Sequence, residues 1–316
     1  MRHQHAAGAP PTARRVRLSD GAVVCVWDWG VAAGDAPPQS QTQTQHGGRD
    51  CLFVHGNGMH ARAYTRMIET LRAGGLHVYG LDVRGCGASS AAQPLDLRWP
   101  RLAVDVAEVH NALGLRNCVG VGHSLGGCLL LLAAVERPAA FQALYLYEPI
   151  VPPRAASEAE RAAPLAMAAA AGKRRAEFPS RAAARDSYAS KTMFSRFHPA
   201  CLHDYVEHGF RESGKNGVVL QCAPATEAEI FLQGEDTGTD AKLSRVHPST
   251  VVAVGGLDGP AGPPSWGVRV ASSVQRGRLE RYAALDHNGL LCDPDGIAVA
   301  ALASFALVHA YPTPRL

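Results

Sequence analysis

The stretch that most constrains the fold is Gly120-Val121-Gly122-His123-Ser124-Leu125-Gly126-Gly127. An apolar run, Asn117-Cys118-Val119, precedes it, and a longer one, Cys128 to Val135, follows. A short strand, a glycine-framed serine and then a helix is the layout of a nucleophile elbow. The turn is so tight that side chains two residues before and two residues after the serine would clash, and Gly122 and Gly126 remove them. Ser124 Oγ then stands exposed at the carboxyl edge of a sheet, with the positive N-terminus of the following helix aimed at it. An ordinary surface serine can satisfy the same five-residue pattern. The flanking apolar runs supply the strand and helix that the pattern alone lacks.

The surrounding chain reads as an alternation. Arg15 to Leu18 and Ala22 to Trp29 are two strands joined at the turn signal Asp20-Gly21. Cys51 to Val54 is a buried strand that runs into His55-Gly56-Asn57-Gly58. A helix over Ala61 to Ala73 ends at Gly74-Gly75, and His77 to Leu81 is the next strand. Pro100 to Leu113 is a helix with proline in its first turn, and Gln142 to Tyr147 is a strand ending at Glu148-Pro149. Strands and helices alternate from 51 to 150, so each helix is a crossover between parallel strands, and the sheet is covered on both faces. Residues 152–240 break the pattern. They are rich in Ala, Arg and Glu at helical spacing, with no clear strand before Gly217 to Cys222. Alternation resumes with a strand at Thr250 to Val254, a helix near Pro264 to Val274, a strand at Arg278 to Tyr282 and a last helix around Pro294 to His309.

The elbow with its flanks, the His55-Gly56 loop and the segment Asp82-Val83-Arg84-Gly85-Cys86-Gly87-Ala88-Ser89 together resemble the α/β-hydrolase superfamily, over roughly residues 50–150 and 250–310. The resemblance implies an α/β fold, a mostly parallel doubly wound sheet with a helical cap inserted after the sixth strand. Residues 1–14 are then a disordered tail and 15–151 the first part of the core, interrupted by the low-complexity insertion 33–49. The cap is 152–240, and 241–316 completes the core.

The same resemblance assigns roles. An activated serine needs a base, and the base needs an orienting acid. The family's chain order is serine, acid, histidine, and His287 lies beyond the last strand where the family keeps its base. The acid has two candidates: Asp258, in Gly255-Gly256-Leu257-Asp258 at the family's usual position, and Glu148, at the tip of the sixth strand as in haloalkane dehalogenases. Asp258 is the first choice and Glu148 the alternative. The oxyanion donors are the backbone N–H groups of Leu125 and Asn57. His55 is read as structural, Asp82 and Arg84 as architectural, with Cys86 in place of the histidine common in that segment.

Ser124 argues against the aspartate-dependent epoxide hydrolases and haloalkane dehalogenases, because a serine ether could not be hydrolysed afterwards. Acyl chemistry remains, with a small or lipophilic carboxylic ester, thioester or lactone as substrate. The alternatives on the same fold are a small-molecule receptor, an acyltransferase and a haloperoxidase-like member. The cap residues Met167, Phe178, Tyr188, Met193, Phe194 and Phe197 read as cap core, with one or two on the pocket. Lys173-Arg174-Arg175, Arg181, Arg185 and Lys191 read as solvated helix faces, or as an attractant for an anionic substrate.

Composition excludes other classes. A formal net charge of +3 over 316 residues, with no basic stripe interleaved with aromatics, argues against nucleic acid. The longest apolar run is too short to span a bilayer. Eight cysteines without C-x-x-C spacing read as free thiols rather than a metal or disulfide framework. His55 and His60 have ligand spacing, but no carboxylate cluster joins them, so neither metal nor cofactor is expected. A cytoplasmic location is the simplest reading. The arginine-rich start faintly suggests an organelle, and Pro314-Arg315-Leu316 a peroxisome.

Overall fold

The apolar runs and turn signals become one sheet with helices on both faces. The computed structural model describes residues 9–32, 49–89, 95–214, 216–234, 237–257 and 264–310. Its first half contains β1 (Thr12–Arg17), β2 (Val23–Asp28), β3 (Arg49–Val54), a 3₁₀ turn (Ala61–Tyr64), α1 (Thr65–Ala73) and β4 (Leu76–Asp82). α2 (Trp99–Ala112), β5 (Val119–His123), α3 (Leu125–Glu136) and β6 (Ala143–Tyr147) follow. β1 starts inside the segment expected to be tail, pairing Thr12 with Asp28 across the hairpin. Of the low-complexity insertion only Arg49, the first residue of β3, lies within the described residues.

Between β6 and the last strands lie α4 (Glu158–Gly172), β7 (Glu177–Phe178), α5 (Arg181–Ala189), α6 (Thr192–Ser195), α7 (Pro199–Gly209), β8 (Phe210–Ser213), β9 (Gly217–Leu220) and α8 (Pro224–Leu232). The segment is thus helical with a small antiparallel sheet, β7-β9-β8. β9 was expected. β7 is only two residues long and β8 reads Phe-Arg-Glu-Ser, so neither carries the apolar alternation that betrays a strand. α4 starts where Ser157 and Glu160 form a reciprocal capping box. The second half closes with β10 (Ser249–Gly255), α9 (Ser265–Ser273), β11 (Gly277–Tyr282), α10 (Gly289–Cys292) and α11 (Pro294–Ala310).

The main sheet has the order β1-β2-β4-β3-β5-β6-β10-β11, antiparallel at the β1/β2 and β2/β4 pairs and parallel elsewhere. Successive side chains point to opposite faces of a strand. In β3, Cys51 and Phe53 therefore join Met67, Ile68 and Leu71 of α1 and Ile297 and Phe305 of α11. Leu52 and Val54 join α2 and α3 on the other face, through Leu102, Val106, Leu129 and Leu130. Burying each such side chain is worth about 1.5–3 kcal/mol relative to exposure. α3 is apolar all round and buried along its length until Glu136, as a helix must be when neighbours cover every side.

Register then fixes the site. Val54 pairs with Gly122, His123 with Tyr147, and Tyr147 with Ala253. The carboxyl ends of β3, β5, β6 and β10 consequently lie side by side, the edge where ligands bind in open α/β sheets.

Candidate active site

Ser124 sits between β5 and α3 with φ +53° and ψ −117°, a strained conformation for a residue with a side chain. The glycines on either side are explained by close approach, with a difference in detail from the sequence reading. A Cβ on Gly122 would lie 2.8 Å from the backbone of Gly127, and one on Gly126 would lie 2.1 Å from the Val54 carbonyl oxygen. The obstacles are Gly127 and the end of β3 rather than the partner glycine. Leu125 opens α3, so its N–H has no intrahelical acceptor and faces the site with the helix N-terminus.

His287 follows β11 and is buried. Its Nδ1–H donates to Glu148 Oε2 at 2.9 Å. Glu148 leaves β6 with φ +44°, its N–H donates to the Ala253 carbonyl at 2.8 Å, and its Oε1 accepts the Gly255 N–H at 2.8 Å. One carboxylate oxygen is thus held by β10 while the other faces the imidazole. Asp258, the first choice from sequence, lies outside the described residues.

A second layer holds the histidine loop, and the sequence did not reveal it. The Tyr64 hydroxyl donates to His123 Nδ1 at 2.7 Å, and His123 Nε2–H donates to the His287 carbonyl at 2.8 Å. Burial, aided by the neighbouring His287, pushes the His123 pKa down to about 3, so the ring is neutral with one fixed tautomer. The Tyr147 hydroxyl donates to the Asp286 carbonyl at 2.8 Å. The signal available in sequence was only an apolar-context tyrosine before the elbow, indistinguishable from core.

His55 is structural. Its Nδ1–H donates to the Gly56 carbonyl and its Nε2 accepts the Val83 N–H, and burial lowers its pKa to about 4. His60 Nε2–H donates to the Tyr205 carbonyl, which turns it toward the helical segment rather than toward His55. Among the described residues no cluster of three or more His, Cys, Asp or Glu side chains is placed to hold a metal. Asp82 accepts from Trp27 Nε1 and the N–H groups of Ala61 and Ala88, and Arg84 forms a fork on Asp105 and reaches Asp20. Both are architectural, as read.

Two cavities meet at Ser124, and Asn57, Met167 and Phe231 also border both. One runs between Leu125, Trp99, Ile150, Pro164 and Trp266 and is apolar. The other, of about 110 Å³, is lined by His287, Asn288, Arg174, Tyr205 and Glu227. Asn57 Nδ2 donates to the Glu227 carbonyl at 2.9 Å, joining the loop after β3 to α8. Phe178, Tyr188, Phe194 and Phe197 are buried as expected, while Met167, Met193 and Phe194 reach the cavity. Arg174 departs from the reading of its run as a solvated face. It is half-buried, donates to Glu227 Oε2 and to the hydroxyls of Tyr188 and Tyr205, and faces the same cavity as Ser124. The basic tripeptide gave no sign that its middle residue turns inward.

All eight cysteines are free and seven are buried. Among the described residues no helix is long and apolar enough to cross a membrane.

Comparison with known proteins agrees with this fold. The profile described as the alpha/beta hydrolase fold matches residues 52–213, just over half of the chain. N-formylmaleamate deformylase of Pseudomonas putida is 32% identical over 124 residues, which is 38% of this chain and 46% of that protein. The chain spans about half the length of the curated relatives it matches first. Among solved structures, E-2-(acetamidomethylene)succinate hydrolase superposes with a TM-score of 0.76 at 17% identity, covering 94% of this chain and 99% of that one. The esterase EaEST from Exiguobacterium antarcticum does so with a TM-score of 0.71 at 17% identity, covering 93% and 100%. The eight-stranded order, the strained serine at the end of β5 and the family match together place the chain in the α/β-hydrolase family.

Proposed function

We propose that the chain is a serine hydrolase that cleaves a small or lipophilic carboxylic ester, thioester or lactone through an acyl-enzyme on Ser124. The bond between His287 Nδ1 and Glu148 Oε2, with Ser124 and His287 on one cavity wall, carries this reading. An imidazole has a single Nδ1 proton, and Glu148 already accepts it. Glu148 therefore replaces Asp258 as the orienting acid in this reading.

The chemistry follows from these positions. Ser124 Oγ attacks the carbonyl carbon while its proton passes to His287 Nε2, and Glu148 stabilises the imidazolium that forms. The N–H groups of Leu125 and Asn57 stabilise the oxyanion, in a site where bulk water screens them little. As the intermediate collapses, His287 gives its proton to the leaving oxygen. Water, deprotonated by His287, then attacks the acyl carbon, and release of the acid restores Ser124. The same sequence of steps accepts a nitrogen leaving group in place of the alcohol oxygen, and one relative is named N-formylmaleamate deformylase.

Labelling with a fluorophosphonate tests the reading. Stoichiometric labelling of the native chain that vanishes in Ser124→Ala is expected, together with ester turnover lost in the same variant. A folded native chain that neither labels nor turns over any ester would favour a receptor. Acyl transfer to added alcohol in preference to water would favour a transferase.

A further inference from the structure

The two cavities are not equivalent with respect to Ser124, and the difference assigns a side of the substrate to each. The general acid must reach the leaving atom. His287 borders only the second cavity, which is largely apolar (Met59, Met193 and Phe194) but carries the polar groups of His287, Asn288, Arg174 and Glu227, whereas Leu125, one of the two oxyanion donors, borders only the first. An acyl group bound to Ser124 with its oxygen toward Leu125 and Asn57 therefore extends past Trp99 and Trp266, and the leaving group extends past His287 toward Arg174.

The charge at the end of that path is balanced. Arg174 and Glu227 form an ion pair whose side chains are 17% and 10% exposed. Arg174 also donates to the hydroxyls of Tyr188 and Tyr205, so most of its donors are engaged by the protein. A ligand carboxylate there would face Glu227 as well as Arg174, in a site that screens poorly. A neutral group meets no such opposition. It finds donors on Arg174 and Asn288 and an acceptor in the Glu227 carboxylate. Asn57 borders the same cavity, and its buried Oδ1 has no hydrogen-bond partner among the described residues.

Building on the serine-hydrolase reading above, we propose that the Arg174–Glu227 pair selects an uncharged leaving group that both donates and accepts hydrogen bonds, such as a hydroxyalkyl or carboxamide group, attached to an apolar acyl chain. The pair is a specificity determinant of the leaving-group side, and it rejects carboxylate-bearing leaving groups. Its placement on α8 and just after α4 puts that selection in the segment inserted between β6 and β10.

Three butyrate esters of similar size test this: 2-hydroxyethyl, propyl and carboxymethyl. In the native chain kcat/KM is expected to be highest for the hydroxyethyl ester and lowest for the carboxymethyl ester. Glu227→Gln leaves Arg174 unopposed, and the carboxymethyl-to-hydroxyethyl ratio should rise about tenfold or more. Arg174→Gln leaves Glu227 unopposed, and the same ratio should fall by about as much. Either variant alone decides the matter if the other does not fold. A native preference for the propyl or carboxymethyl ester, or ratios that stay within about threefold in a folded variant, would overturn the proposal. Ser124-dependent turnover of all three esters without the expected ranking removes this inference and leaves the hydrolase reading standing. Absence of any Ser124-dependent turnover removes both.

Discussion

Glu148 and His287, 139 positions apart in sequence, meet at 2.9 Å because β10 holds the carboxylate from behind. The strand end receives the Glu148 N–H on the Ala253 carbonyl and gives the Gly255 N–H to Oε1, which leaves Oε2 to the imidazole. The +44° φ of Glu148 turns the side chain across the sheet edge to make this possible.

Glu148→Gln should therefore lower kcat by about 10³–10⁴-fold with little change in KM. A carboxamide has one acceptor oxygen for two donors, the Gly255 N–H and His287 Nδ1–H. If the oxygen stays with Gly255, the amide NH₂ faces Nδ1 and drives the imidazole proton to Nε2, where it can no longer take the Ser124 proton. Steady-state kinetics beside Asp258→Asn check this. Near-normal turnover in Glu148→Gln with a collapse in Asp258→Asn would return the acid to the position first chosen from sequence.

The difference between these two acids shows what the sequence could and could not say. Ser124 and the order of strands from β3 to β6 are local patterns, legible as apolar runs and glycines. His287 is legible because its loop follows the last strand. The acid is not, because Glu148 and Asp258 both follow apolar runs that read as strands, and the bond from His287 to Glu148 is a tertiary contact that no local pattern announces. Arg174 was hidden for a related reason: helical spacing predicts a face, but what covers that face is a tertiary matter, decided by Glu227 and Tyr205. β7 and β8 escaped because strands of two and four residues are too short to show apolar alternation.

Tyr64→Phe should disturb the histidine loop without touching the reacting groups. The change leaves His123 Nδ1 buried and unpaired, at a cost of about 1–3 kcal/mol. It also releases the tautomer that keeps Nε2–H on the His287 carbonyl. Urea denaturation should show the loss of stability, and kcat should fall about threefold to tenfold as His287 samples other positions. Lost stability with unchanged kcat would reduce Tyr64 to a core residue.

Arg196 offers the complementary test from the helical segment. Its guanidinium donates to Asp286 Oδ2 and the Ala284 carbonyl, both at 2.8 Å, on the loop that carries His287. The side chain is 38% exposed, so the pair itself adds at most about 1 kcal/mol. Arg196→Ala should leave Tm within about 2–4 °C of the native value. It should nevertheless lower kcat severalfold, and added salt should lower native activity in the same direction by screening the pair. A variant with native kcat at all salt concentrations would show that the loop holds its place without this tie.

Acid should destabilise the fold before the carboxylates titrate. His55 and His123 are wholly enclosed, and burial depresses their pKa values from 6.5 to about 4 and about 3, while His60 is depressed by the same cause. The groups facing them do not reverse this. Asp82 favours protonation of His55 and His60 but contributes less than burial, and His287 opposes protonation of His123. Each ring is neutral when folded and takes up a proton when unfolded, so the unfolded state binds more protons below pH 6.5. Stability is fully present above that pH and falls as pH drops toward 4, by about 1.4 kcal/mol per pH unit for each histidine. Asp105 and Asp204, whose pKa values burial raises, act with the opposite sign. Burial lowers the pKa values of His110 and His208 as well, the latter to about 3, so urea midpoints measured at half-unit steps from pH 7.5 to 5 should stay level and then decline below 6.5, with a slope of about three to five protons. His55→Asn should reduce that slope by about one proton. A midpoint that stays flat to pH 5 would mean that these rings can be protonated in the folded chain, and the fixed tautomer of His123 would fall with it.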